Sequence, residues 1–216
     1  MIPAHVGRLH VITDETLQQR FSHEELAAAA VAGGADVVQY REKRALPFAL
    51  RLATAQRIVA VIGSARCVVN DDVNLAREAG AWGVHLGPDD VSAVEARRSW
   101  PAAGCIGVTA NDLERAVRVA AEGVDYVGVG PVFATTSKTC PAPVLGLSGL
   151  ERIAAAIDRP VIAIGGIDAG NVGEVLAAGA WGVAVLSAVA GRADPRAAAA
   201  RLRAGIDRWI AGAVAV

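Results

Sequence analysis

Cysteine is scarce in this chain and badly placed for either of its usual roles. Cys67, Cys105 and Cys140 form no CxxC pair and show no metal-type spacing with the four histidines. Cys67 and Cys105 fall in apolar, strand-like runs, the ordinary setting of a buried, inert thiol. Nothing marks Cys140 as a reactive thiolate. An odd cysteine count without a secretory leader points to a reducing compartment, so a cytoplasmic protein is expected. No leader is expected because Arg8 and Asp14 arrive before any apolar stretch can form. A membrane span is lacking too. The uncharged run from Val175 to Gly191 contains Gly179, Gly182 and Gly191 and stops short of the roughly 20 apolar residues a spanning helix needs. Charge of one sign is not in excess. With 21 basic and 22 acidic residues the net charge is −1, which removes any global electrostatic case for nucleic acid or an anionic membrane. Any anion site must therefore be local. Two signatures are also missing. No GxGxxG follows the first strand, where His10-Val11-Ile12-Thr13-Asp14 stands, which disfavours an open doubly wound sheet. No nucleophile elbow is present to support a Ser/His/Asp triad.

What is present is repetition. Ala79-Gly80-Ala81-Trp82-Gly83-Val84 recurs as Ala178-Gly179-Ala180-Trp181-Gly182-Val183, with looser copies at Ala32–Val37 and Ala121–Val127. Each copy reads as an Ala-rich helix ending at a glycine, followed at once by a β-branched strand, and the recurrence suggests stacked supersecondary units. Short strands rich in Val and Ile are expected at Leu9–Thr13, Val37–Tyr40, Cys67–Asn70, Gly83–Leu86, Cys105–Val108, Tyr126–Val129, Val161–Ile164 and Val183–Leu186. Being apolar on both faces, they suit a parallel sheet covered by helices. Helices fit between them, including Glu24–Ala32, Phe48–Val61, Asp112–Ala121, Leu150–Ile157 and Pro195–Ile210, with Ser148 and Asp194 at expected N-cap positions. At 216 residues, 53% of them hydrophobic and with no linker or low-complexity tract, the chain is read as one domain, residues 1–216. The expected fold is a single (β/α)8 TIM barrel with its active site at the C-terminal ends of the strands. The apolar tail Trp209–Val216 leaves two readings, packing on the barrel or on a second subunit of a homo-oligomer.

Polar residues collect at those C-terminal ends. Strand two runs into Gln39-Tyr40-Arg41-Glu42-Lys43, strand three into Asn70-Asp71-Asp72, strand four into His85-Leu86-Gly87-Pro88-Asp89-Asp90 and strand five into Thr109-Ala110-Asn111. Strand six leads to Thr135-Thr136-Ser137-Lys138, strand seven to Gly165-Gly166 and strand eight to Ser187. Arg41, Lys43 and Lys138 suit a polyanion such as a diphosphate. Asp71 and Asp90, from adjacent strands, can share one hard cation; Mg2+ is typically held by one or two carboxylates plus phosphate oxygens. Gly165-Gly166 with Ser187 suggests a second phosphate site. His85 is read as a core or supporting histidine, with a catalytic base as an alternative that nothing in the sequence requires.

Together these segments resemble the thiamine phosphate synthase family. The resemblance runs in order through Gln39-x-Arg41-Glu42-Lys43, Asn70-Asp71, Gly83-Val84-His85-Leu86-Gly87-x-x-Asp90, Gly107-Val108-Thr109, the Gly128–Phe133 and Thr135–Lys138 stretch, and Ala163–Ile167. It implies condensation of hydroxymethylpyrimidine diphosphate with a thiazole phosphate, giving thiamine phosphate and pyrophosphate with Mg2+ as cofactor. Carried over by position, Arg41, Lys43, Asn70 and Lys138 would hold the diphosphate, Asp71 and Asp90 the metal, and Gln39 the pyrimidine. Thr109 would lie near the leaving group. Thr135, Ser137, Gly166, Leu186 and Ser187 would hold the thiazole phosphate. Pro88 and Tyr40 stand where the family usually has Gln and Leu. The partners implied are small molecules, not nucleic acid or membrane. Two rivals stand beside this reading. One is the thiazole tautomerase branch, which carries a histidine where this chain has Asn111, a residue unable to act as a base near neutral pH. The other is a non-catalytic, phosphate-ligand-binding barrel.

Overall fold

The computed structural model describes residues 6–63, 66–135, 137 and 142–214. Eight short parallel strands close on themselves in chain order: β1 (Leu9–Thr13), β2 (Val37–Tyr40), β3 (Cys67–Asn70), β4 (Gly83–Leu86), β5 (Cys105–Ala110), β6 (Tyr126–Val129), β7 (Val161–Ile164) and β8 (Gly182–Val185). Closure comes from β8 pairing with β1, Leu9 opposite Val183 and Val11 opposite Val185. Around the sheet lie α1 (His23–Ala32), α2 (Phe48–Ile62), α3 (Val73–Glu78), α4 (Ala93–Ser99), α5 (Leu113–Ala121), α6 (Gly146–Ala156), α7 (Val172–Ala177), the short α8 (Ser187–Ala190) and α9 (Pro195–Val214). The expected (β/α)8 barrel is the fold observed. No helix among the described residues is long and apolar enough to cross a membrane.

The repeated Ala-Gly steps do what their composition predicts. Gly34, Gly80, Gly123 and Gly179 all have positive φ, turning each helix into the next strand. Alternation then sorts the side chains. Leu9, Val11, Val38, Val69, Val84 and Val127 point outward into the main core beneath the helices. Val6, Ile12, Cys105, Tyr126, Ile162 and Ala184 form a smaller cluster inside the barrel, below the polar upper layer. Burial pushes the Cys67 thiol up to about 12 and raises that of Cys105, so both are inert, as expected.

Differences from the sequence reading are confined to boundaries. Ser22 and Ser92 cap α1 and α4 through capping boxes with Glu25 and Glu95, and Asp194 Oδ1 accepts the amide of Ala197 at 2.9 Å. Ser148 is no cap. Helix α6 begins at Gly146, and its entry amides are satisfied by the preceding loop: Leu145 N–H donates to Pro131 O at 2.9 Å and Gly146 N–H to Val132 O at 3.0 Å. Strand β8 starts one residue early, at Gly182 opposite Ile162, and Leu186 becomes the residue before α8. The tail question has a partial answer: Trp209 and Ile210 pack against the main core.

Candidate active site

A cavity of about 1130 Å³ opens at the C-terminal ends of the strands, the end where barrel enzymes do chemistry. Gln39, Arg41, Lys43, Asn70, Asp71, Asp90, Thr109, Thr135, Ser137, Gly166, Leu186 and Ser187 all line it. Lys138 and Cys140 lie outside the described residues. Pro88 also lines this mouth, whereas Tyr40 turns outward and packs edge-on against His23, ring centroids 4.7 Å apart.

One wall is acidic. Asp71 is the one non-glycine residue with positive φ (70°) among those described, a backbone state worth of order 1–3 kcal/mol of strain. Its neighbours account for it. Asp71 N–H donates to His85 O across β4 at 2.8 Å, and Asp72 turns away to cap α3 by accepting the Leu75 amide at 3.0 Å. The Asp71 carboxylate thereby faces Asp90, whose Oδ2 accepts the Gly87 amide at 2.7 Å. A Cβ on Gly87 would lie 3.2 Å from Asp90 Oδ2 and 3.9 Å from Asp71 Oδ1, so the two carboxylates flank one small space. The electrostatics agree. Burial, then the charge and hydrogen bonding of Asp71, raise the Asp90 carboxyl above its ordinary range against the Gly87 amide and Lys43. Two all-oxygen donors beside an open cavity are a donor set that fits Mg2+.

Cations border the acids. Lys43 Nζ lies 2.5 Å from Asp71 Oδ2. Arg41 Nη1 pairs with Asp14 Oδ2, the two side chains 16% and 1% exposed. Burial pulls the guanidinium below its ordinary pKa while Asp71 opposes that pull; from so high a starting value it stays charged. Asp14 was not among the expected site residues, although it follows β1 at the same rim and the strand-end rule would have selected it.

The floor is a hydrogen-bonded relay. His85 Nδ1 contacts Tyr126 Oη at 2.9 Å and Nε2 contacts Thr109 Oγ1 at 2.8 Å, so both ring nitrogens are engaged and His85 braces Thr109. Tyr126 fits because Gly107 has no side chain: a Cβ there would fall 2.1 Å from Tyr126 Cζ. His10, whose imidazole is lowered to about 4 chiefly by burial, closes the bottom through a 2.7 Å contact with Val6 O.

The opposite wall is built from backbone and hydroxyls. Gly165 and Gly166 both have positive φ (103° and 64°), and a Cβ on Gly166 would meet Ala134 O and Phe133 Cβ at 2.7 Å. Asn171 Nδ2 pins this turn by donating to Gly166 O at 2.9 Å. Gly166→Ala is therefore expected to destabilise the fold by about 1–3 kcal/mol. It should also weaken binding of a phosphate ligand at this wall, read by thermal melting and by competition with inorganic phosphate. Wild-type stability and phosphate affinity in the variant would show that the turn tolerates a side chain and plays no part in binding.

A closed parallel barrel whose C-terminal mouth gathers paired carboxylates, cations, hydroxyls and a glycine turn defines a barrel enzyme of the phosphate-handling class. Comparison with known proteins makes this particular. The family model described as thiamine monophosphate synthase matches residues 9–189, and the chain belongs to that family. A thiamine-phosphate synthase of Methanoculleus marisnigri is 50% identical over 197 residues, covering 90% of this chain and 93% of that one. One of Salinibacter ruber is 45% identical over 204 residues, covering 94% and 89%. The solved thiamine phosphate pyrophosphorylase from Pyrococcus furiosus superposes with a TM-score of 0.84 at 34% identity, over 94% of this chain and 96% of that one.

Proposed function

We propose that this protein is a Mg2+-dependent transferase that joins hydroxymethylpyrimidine diphosphate to a thiazole phosphate, giving thiamine phosphate and pyrophosphate. The observation that carries the reading is the placement of Asp71, Asp90, Lys43 and Arg41 on one wall of a single cavity whose opposite wall is the Gly165-Gly166 turn. In this reading Asp71 and Asp90 hold Mg2+, which when bound neutralises charge on the departing diphosphate oxygens. Arg41, Lys43, Asn70 and Lys138 bind the same diphosphate. Gln39 contacts the pyrimidine, and Thr109, steadied by His85, sits beside the leaving group. Thr135, Ser137, Gly166, Leu186 and Ser187 hold the thiazole phosphate so that its ring nitrogen meets the pyrimidine methylene in line. Departure of pyrophosphate asks for charge stabilisation more than for a strong base, and His85 is engaged with Tyr126 and Thr109. The buried thiols Cys67 and Cys105 support a cytoplasmic location.

The test is pyrophosphate release, expected only with both substrates and Mg2+ present. Binding of thiazole phosphate without pyrophosphate formation would support a ligand-binding barrel instead, and proton exchange at the thiazole carboxylate carbon without pyrimidine would support a tautomerase. Lys138→Ala should lower turnover by roughly 10²-fold with an unchanged melting temperature; an unfolded variant would make that lysine structural.

A further inference from the structure

Past β2 the side chains alternate. Gln39, Arg41 and Lys43 turn into the mouth, while Glu42 turns outward to meet His23 at the start of α1. Glu15, from the loop after β1, joins them, and one ligand atom from each of Glu15, His23 and Glu42 lies within 4.8 Å of the other two. None of the three lines the main cavity.

His23 is the informative member. Its side chain is fully buried. Nδ1 lies 2.7 Å from Thr13 Oγ1, and that hydroxyl reaches Gln39 O at 3.5 Å. With Nδ1 engaged by Thr13, Nε2 is the ring atom left to face the neighbouring carboxylates. That nitrogen has no hydrogen-bond partner. It faces Glu42 Oε2 at 3.5 Å and Glu15 Oε1 at 3.9 Å. A buried, unpartnered ring nitrogen aimed at two carboxylates presents three donor atoms to a cation placed between them.

We propose that Glu15, His23 and Glu42 form a second cation site, outside the mouth, that takes a divalent transition metal of the Zn2+ class. Tetrahedral coordination with bonds of about 2.0–2.1 Å places donor atoms about 3.3 Å apart, so the carboxylates, 3.5 and 3.9 Å from the ring nitrogen, close in when the metal binds. An imidazole in the set selects against Mg2+ and Ca2+, which prefer oxygen throughout. Thr13 supplies the outer hydrogen bond that commonly fixes a ligating histidine's tautomer and orientation. Three protein ligands leave a fourth position for water. Arg44 supplies the counter-charge in the metal-free state: Nη2 lies 2.5 Å from Glu15 Oε2 and 2.6 Å from Glu42 Oε2, on a side chain 42% exposed and able to swing into solvent. A metal here clips the first two βα loops together next to the Asp14–Arg41 pair, and the site stands independently of the activity proposed above.

The experiment uses the full chain, stripped with EDTA and carrying Asp90→Asn, in excess Mg2+ so that the mouth does not compete. Zn2+ is titrated against a chromophoric chelator, and Co2+ is added for its visible absorption. One Zn2+ per chain is expected, with the strong visible bands of low-coordinate Co2+. Affinity should fall at least tenfold in His23→Gln and in Glu42→Gln. Arg44→Ala should tighten Zn2+ severalfold, since it removes a competing cation; a cluster that is only an ion-pair network would show no such gain. Should His23→Gln fail to fold, Glu15→Gln at the half-buried loop position reads the same loss. Equal Zn2+ affinity in wild type and the ligand variants, or Co2+ that stays spectrally like the hexaaqua ion, would overturn the proposal.

Discussion

Asp90→Asn should lower kcat/KM for the condensation by about 10²–10³-fold and move Mg2+ activation to higher metal concentration. Asn keeps an oxygen for the Gly87 amide, so the loop geometry survives while one of the two charges facing the metal is lost. The same change should make the metal-free protein more stable. Burial and Asp71 raise the Asp90 carboxyl in the folded state, so the native protein keeps a proton that the unfolded chain gives up. Stability therefore falls as pH rises from the ordinary carboxylate value through the raised one, and Asn removes that loss. In EDTA at neutral pH the variant should melt above wild type, and in wild type Mg2+ activation should weaken as pH falls through the raised value, because a protonated Asp90 cannot hold the ion. Steady-state kinetics over a Mg2+ series and melting curves in EDTA check both halves. An unaltered Mg2+ curve would take Asp90 out of the metal set, and a lower melting point would mean that the carboxylates do not repel.

Arg41→Ala has two expected consequences, on fold and on rate. The guanidinium is the ion-pair partner of a carboxylate 1% exposed, and removing one member of a buried pair leaves the other uncompensated, at about 3–5 kcal/mol. For a chain of this size that corresponds to a drop in Tm on the order of 10 °C. Turnover should fall by about 10²–10³-fold through loss of charge stabilisation on the diphosphate. The double variant Asp14→Asn with Arg41→Ala separates the two. Neutralising the buried acid should restore most of the melting temperature and none of the turnover. A single variant that melts with wild type would show that Asp14 is solvated, and recovered turnover in the double variant would show that Arg41 acts only through Asp14.

Much of this architecture is written in local pattern. Val37–Tyr40 and Val161–Ile164 have the composition of strands covered on both faces, and the Ala-Gly echoes announce the turns at Gly34, Gly80, Gly123 and Gly179. Once strands and connections follow, polar runs after Tyr40, Val69 and Leu86 fall at one rim. The start of α6 was less accessible, because its amides are met by carbonyls of Pro131 and Val132 and not by a side chain that sequence would reveal.

The sequence by itself determined which faces are apolar, where the chain turns and which residues reach the C-terminal rim, because alternation and glycine φ preference act over a few residues. Only the tertiary structure decided which of those residues meet: Asp71 with Asp90, Arg41 with Asp14, His85 with Tyr126 and Thr109, and the unpartnered ring nitrogen of His23 with two glutamates. These pairings depend on the register and stagger imposed when β8 closes on β1. That closure brings together residues tens of positions apart, and burial then sets the charge each of them carries.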